Sequence, residues 1–175
     1  MALADHPDFS AFELGRAHDP VELDSSAAVR EACLALLGQA RREVAMITRH
    51  LDPALFDNQQ TVDALRSFVL RSRRTHVRVL VRDPEPAVRR GHRLLAFTQR
   101  LSSYAEIRIP APEFHAYNAA FLAVDGIGIV HRAMSDRFEA TVSFGDRQLA
   151  GEAMRQFEDM WQSSRSDPSL RRINL

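Results

Sequence analysis

Apolar residues along the chain change spacing from one segment to the next, and these changes predict an alternation of helices and strands. Asp24-Ser25-Ser26 supplies N-cap chemistry for a helix through Ala40, with Val29, Cys33, Leu36 and Leu37 at helical spacing. Arg42–Thr48 reads as a buried strand, and a link from Arg49 to Pro53 leads into a helix near 58–73 lined by Val62, Leu65, Phe68 and Val69. His76–Arg82 alternates as a strand does. Asp83-Pro84-Glu85-Pro86 stops it and starts a helix expected to run to about Ser102, because proline suits a first helical turn. Glu106–Ile109, Ala119–Val124, Ile127–His131 and Phe138–Phe144 read as strands, the middle two joined by the tight turn Asp125-Gly126. Arg147–Ser164 closes the series as a helix with Leu149, Met154, Phe157 and Trp161 inward.

The order α-β-α-β-α-β-β-β-β-α predicts an α/β fold: a mixed, mostly parallel sheet with helices on both faces. The expected organisation is an irregular arm over 1–23, one domain over 24–165 and a tail over 166–175. At 175 residues this is one core, with no internal repeat.

Composition narrows the chemistry. A single cysteine, Cys33, rules out an internal disulfide framework. No apolar run is long enough for a membrane span, and the acidic start (Asp5, Asp8) does not resemble a signal peptide, so a cytoplasmic location without membrane contact is expected. All 23 basic residues other than histidine are arginine; a mechanism requiring lysine is excluded. Charge is uneven. Residues 1–65 carry 11 acids against 5 arginines (−6), residues 66–100 carry 10 arginines against Asp83 and Glu85 (+8), and the remainder is −2.

Ligands of open α/β sheets sit beyond the carboxyl ends of strands. Charged pairs fall at three predicted ends: Arg49-His50, Arg82-Asp83 and His131-Arg132, with His115 and Glu139 expected to border the same region. Asp52 and Asp83, each followed by proline, are expected to shape turns. A second candidate surface is the arginine block, with Arg71, Arg73 and Arg74 at a helix-to-strand junction and Arg89, Arg90 and Arg93 on the next helix, suited to salt-sensitive contact with nucleic-acid phosphates. Zinc spacings, a phosphate loop and a serine-hydrolase elbow are missing, so neither metal nor cofactor is expected.

Residues near the end of the series carry a family resemblance. Phe121-Leu122-Ala123-Val124-Asp125-Gly126, then Ile127-Gly128-Ile129-Val130, Glu139 and the Phe157…Trp161 pair together resemble one half-domain of the phospholipase D-like superfamily, over roughly residues 24–165. The resemblance implies a histidine and a lysine two residues apart ahead of the Asp-Gly turn; here those positions hold Asn118 and Ala120, and the family's Gly-Ser pair is replaced by His131-Arg132. Asparagine cannot serve as the nucleophile and alanine cannot hold a phosphoryl oxygen. The expected function is therefore a non-catalytic binding or regulatory domain for a phosphorylated ligand or nucleic acid, with Asn118 beside the cleft. Two alternatives stand next to it: a divergent homodimeric phosphodiesterase or nuclease using His115, with Arg132 replacing the lysine, and a protein–protein interaction module. The resemblance implies pairing into homodimers under all three.

Overall fold

A computed structural model describes residues 6–172; Met1–Asp5 of the expected arm and Ile173–Leu175 of the expected tail lie outside the described residues. Seven strands form one sheet: β1 (Val21–Leu23), β2 (Glu43–Thr48), β3 (His76–Val81), β4 (Ala105–Arg108), β5 (Ala120–Val124), β6 (Gly128–Arg132) and β7 (Ala140–Ser143). Their spatial order is β1-β7-β6-β5-β2-β3-β4. The helices are α1 (Ser26–Gln39), α2 (Pro53–Phe56), α3 (Gln59–Leu70), α4 (Glu85–Arg90), α5 (Arg93–Arg100), α6 (Arg147–Ser163) and α7 (Pro168–Arg171).

The α/β class and mixed sheet are as expected, but the balance of directions is not. Only β2–β3 and β3–β4 pair in parallel, and the other four ladders are antiparallel. Parallel pairing is confined to strands joined by helical crossovers, α3 and then α4–α5. After β4 the consecutive strands β5–β6 and β6–β7 pair antiparallel as chain neighbours, while β2–β5 and β1–β7 are antiparallel pairs of strands distant in the chain.

Strand alternation divides the core in two. Val44, Met46, Val77, Val79, Leu122, Val124 and Val130 pack on the face covered by α1, α3 and α5. Ala45, Ile47, Leu80, Phe121, Ala123 and Ile129 face α6 through Ala150, Ala153, Phe157, Met160 and Trp161. Helix α1 approaches β6 closely because position 128 is glycine. A β-carbon there would lie 2.6 Å from Leu36 Cδ2 and 2.7 Å from Leu14 Cδ1. On the other face the Phe157 and Trp161 rings stack at 5.6 Å between centroids. The Arg78 guanidinium lies 5.1 Å from Phe157 and 5.4 Å from Trp161 while bonding Glu158 and Glu43, and Arg108 lies 4.4 Å from Trp161. The arginine bonds hold the Glu158 carboxyl below the usual carboxylate range. Residues 78, 108 and 157–161 thus anchor the closing helix.

Three segments differ from expectation. The arm contributes a 3₁₀ turn at Phe9–Ala11 and the edge strand β1, with Phe9, Phe12 and His18 packed around Phe144. Three-residue strands leave too little alternation to read. The helix expected from 85 to about 102 is two helices, broken at Gly91 (φ 75), where only glycine is comfortable. The described part of the expected tail is tied down: after Arg165, which bridges to Ile109 at the end of the expected domain, α7 buries Leu170 and its carbonyl accepts from Gln99.

The break at residue 91 gives His92 a role. Its Nδ1 accepts the Leu94 N–H (3.1 Å), capping α5, and its Nε2–H donates to the Leu51 carbonyl (2.9 Å). This pattern needs the neutral ring, and burial lowers the His92 pKa below 6.5. His131 is lowered for the same reason. The folded state therefore binds fewer protons than the unfolded chain around the ordinary histidine value. The stability these two groups contribute is present above about pH 6.5 and lost as pH falls below it. Urea midpoints measured from pH 7.5 to 5 are expected to fall on the acid side, with a shallower fall in His92→Asn, whose side-chain oxygen retains the cap. A midpoint independent of pH over this range would contradict the assignment.

Candidate anion-binding site

The carboxyl ends of β2, β3 and β6 and the amino end of β5 meet along one edge of the sheet. Register makes this so: Thr48 pairs with Val81, Ile47 with Phe121, and Ala120 with Arg132. The first ladder continues one step past the strands, with Arg82 N–H donating to Thr48 O (3.1 Å) and Asp83 N–H to Arg49 O (2.8 Å). Arg49 and Arg82 are therefore neighbours across adjacent strands, about 4.8 Å apart in backbone. Like charges placed side by side repel.

The nearby Asp83 carboxylate pairs with His50 instead of either arginine. Arg49 is exposed, and among the described residues neither arginine has a carboxylate partner. Arg82 donates from Nη2 to Ser135 Oγ (2.6 Å), whereas its buried Nε has no hydrogen-bond partner. Burial, followed by the positive charge of Arg49, lowers the Arg82 pKa; the nearby Tyr117 hydroxyl acts the opposite way. Tyr117 itself is pushed up to about 12 by burial, so it is a neutral donor at physiological pH, bonded to Gln156 (3.2 Å). A half-buried guanidinium with an unpartnered donor and a cationic neighbour is suited to pairing with an anion.

The turn after β2 builds the floor of this edge. Leu51 is buried with φ 63, a left-handed conformation that costs energy in a leucine. It is held by Thr48, whose Oγ1 accepts the Leu51 N–H and donates to Asp52 Oδ2, and by His92 on its carbonyl. Asp52 Oδ2 then pairs with Arg132 Nη1 at 2.8 Å. Arg132 was expected to face a ligand; it does not. Only 3% exposed, it spends Nε on Arg137 O, Nη2 on Ser135 O and Nη1 on Asp52. It is an internal brace, and Ser135 connects it to Arg82.

The remaining expected residues fall into two groups. His50 lies at the same edge, its Nδ1 3.2 Å from the Asp83 carbonyl and 3.4 Å from Asp83 Oδ2, so Asp83 holds an imidazole as well as shaping its turn. Asn118 is exposed, and its carbonyl accepts the Ser135 N–H (2.7 Å), which keeps the 117–118 segment beside Arg82. His131 is half-buried on the face of β6 toward α6. Glu139 is exposed just before β7. His115 is exposed just after the 3₁₀ turn Pro112–Phe114, and among the described residues no side chain orients its ring. Sequence reasoning missed Ser135 and Tyr117. A serine in a loop and an aromatic after two prolines carry no signal until the loops are folded onto Arg82.

The arginine block is not one surface. Arg71, Arg73 and Arg74 precede β3 and Arg89, Arg90 and Arg93 follow it, so they flank a six-residue strand roughly 20 Å long. Arg71 caps α1 through the Ala40 (2.7 Å) and Gly38 (3.2 Å) carbonyls, Arg89 pairs with Glu85, and Arg93 pairs with Asp57. Cys33 is buried and its thiol pushed up to about 12 by burial, which leaves it inert packing. Among the described residues no His/Cys/Asp/Glu cluster is arranged to hold a metal, and no helix is long and apolar enough to cross a membrane.

The mixed seven-stranded sheet with helices on both faces is a fold this chain shares with solved structures. The chain itself is a member of the family described as Domain of unknown function (DUF7931), which it matches over residues 25–173. No curated protein sequence matches it. Among solved structures it is similar to TrmBL2, an archaeal chromatin protein described as showing a novel mode of DNA binding, with TM-score 0.61, 12% identity and 86% of this chain covered. It spans 55% of that protein. NucT from Helicobacter pylori is similar over 85% of this chain and 99% of its own, at 13% identity and TM-score 0.54. Phosphatidylserine synthase from Haemophilus influenzae Rd KW20 matches over 83% of this chain and 38% of its own, at 14% identity and TM-score 0.55. Identities this low establish a shared fold.

Proposed function

We propose that this protein is a non-catalytic phospholipase D-like domain that binds the phosphate group of a ligand between Arg49 and Arg82. The observation that carries this is Arg82: half-buried, without a carboxylate, with Nε unpartnered, and set beside a second arginine. A phosphate would accept from both guanidiniums and relieve their repulsion. Neighbours of the same fold, a DNA-binding chromatin protein and a phosphatidylserine synthase, support a phosphate-bearing ligand.

Loss of catalysis rests on the family's reacting positions. Asn118 stands where a histidine would attack, and Ala120 is buried and has no polar group. His115 lacks an orienting partner among the described residues, so it does not make the nucleophile-and-base arrangement the alternative requires. Calorimetric titration with phenyl phosphate is expected to show saturable binding, weakened at least about tenfold in Arg82→Gln, the loss of one charge-assisted contact. Unchanged affinity would discard the site. Turnover of an aryl phosphodiester that disappears in His50→Ala or His115→Ala would overturn the non-catalytic reading.

A further inference from the structure

The opposite edge of the sheet carries a second concentration of positive charge. Arg41 and Arg42 lead into β2, and Arg73 and Arg74 lead into β3; the two strands are parallel neighbours in register from Glu43 and His76 onward. The His76 N–H donates to the Arg42 carbonyl (3.2 Å), so the two arginine pairs lie side by side at this edge. All four are exposed, and among the described residues none has a carboxylate partner.

Nearby acids are already engaged. Glu43 pairs with His76 (3.2 Å) and Arg78 (3.4 Å). The Asp125 carboxylate is nearly buried and accepts the backbone N–H groups of Arg41 (2.9 Å), Arg42 (2.7 Å) and Glu43 (2.9 Å). Those bonds fix the backbone from which Arg41 and Arg42 project. On the other side, Thr75 Oγ1 donates to Ser72 O (2.8 Å) and the Arg74 N–H donates to Ser72 Oγ (3.1 Å), which fixes the turn carrying Arg73 and Arg74. Four uncompensated guanidiniums thus project from two fixed backbones.

We infer that Arg41, Arg42, Arg73 and Arg74 form a sequence-independent docking surface for the phosphate backbone of double-stranded nucleic acid, separate from the Arg49–Arg82 site at the other edge. Guanidiniums favour phosphate through paired N–H donors. Side-by-side arginine pairs suit a polyanion that presents successive phosphates, and such contacts release counterions rather than read bases. Among the described residues, only Leu70 of the large apolar side chains stands prominently exposed near the patch, too little for insertion into a lipid surface.

The test is fluorescence anisotropy with a labelled DNA duplex of about 20 base pairs across about 50–200 mM salt, on the full chain and on R41Q/R42Q/R73Q/R74Q. The wild type is expected to bind with a steep salt dependence. The quadruple variant is expected to lose at least about tenfold in affinity at the lowest salt, and up to about 3–4 units of the log–log salt slope, close to one per phosphate contact. Because all four changes are on exposed residues, its urea midpoint is expected to match the wild type's. Absence of duplex binding by the wild type would overturn the inference. So would a variant that binds like the wild type, or a loss seen only in Arg82→Gln. Phosphatidylserine vesicles bound through these arginines while duplex is ignored would also overturn it. Phenyl phosphate binding in the quadruple variant should be unchanged, so failure here and failure of the Arg82 site can be told apart.

Discussion

Arg132→Ala is expected to destabilise the protein by about 3–5 kcal/mol, the loss typical of removing one partner from a buried ion pair. The side chain is 3% exposed and every guanidinium nitrogen is used. Its removal strands the Asp52 carboxylate, leaving it the Thr48 hydroxyl, and frees the Ser135 loop. Leu51, held at positive φ by the same network, then loses part of what keeps it there. Urea denaturation gives the number directly. A loss below about 1 kcal/mol would mean that Asp52 and Arg132 are solvated in the folded protein and that the brace does not exist. Removing both partners together, as Asp52→Leu with Arg132→Met, is expected to cost less than Arg132→Ala alone, because no charge is left uncompensated.

The second large effect is at Asp125. In Asp125→Ala, three backbone N–H groups at the start of β2 lose a charged acceptor, and a loss of about 3–4 kcal/mol is expected from hydrogen bonds of this kind. Asp125→Asn retains one oxygen that can accept, so it should recover part of the loss. The residue also sits at φ 56 in the hairpin turn, beside Gly126 at φ 65, a conformation that asparagine and aspartate tolerate better than alanine. Both the retained acceptor and the turn conformation place Asn above Ala, so equal urea midpoints for the two variants would contradict this account of Asp125. The Asp-Gly pair that carries the family resemblance is thus structural in this chain: it ties the β5–β6 hairpin to the start of β2.

The helices and central strands were legible because each buries one face and repeats its period for at least a full turn or two pleats. Val62, Leu65, Phe68 and Val69 on α3, and Val77, Val79 and Val81 on β3, are the plainest cases. Short elements were not. β1 is three residues long, α7 four, and the break between α4 and α5 depends on one glycine at positive φ. The majority of antiparallel ladders was hidden for another reason: element order fixes which strands exist, whereas direction depends on which strands become neighbours across the sheet.

At the site, sequence placed Arg49, His50 and Arg82 at strand ends, and the structure brings them to one edge. It could not tell a free arginine from a committed one. Arg82 and Arg132 both end strands and both precede short polar loops, yet one has an orphaned nitrogen and the other has none. The distinction comes from Asp52, 80 residues away in the chain, pairing with Arg132 instead of Arg82. Charge counting also merged two groups of arginines that β3 holds apart, while Arg41 and Arg42 escaped notice because they lie in the acidic first third. Folding sorts them by strand polarity. Strand starts gather Arg41, Arg42, Arg73 and Arg74 at one edge, and strand ends gather Arg49 and Arg82 at the other.

The most direct test of the phosphate site observes the guanidiniums themselves. Arginine side-chain ¹⁵Nε–¹Hε resonances, assigned through Arg49→Gln and Arg82→Gln, would be followed during titration with inorganic phosphate. The account predicts a saturable shift of the Arg82 Nε–H signal, a smaller one at Arg49, and none at Arg132, whose Nε already donates to Arg137. An Arg82 signal that stays fixed while phosphate shifts only exposed arginines elsewhere would contradict it.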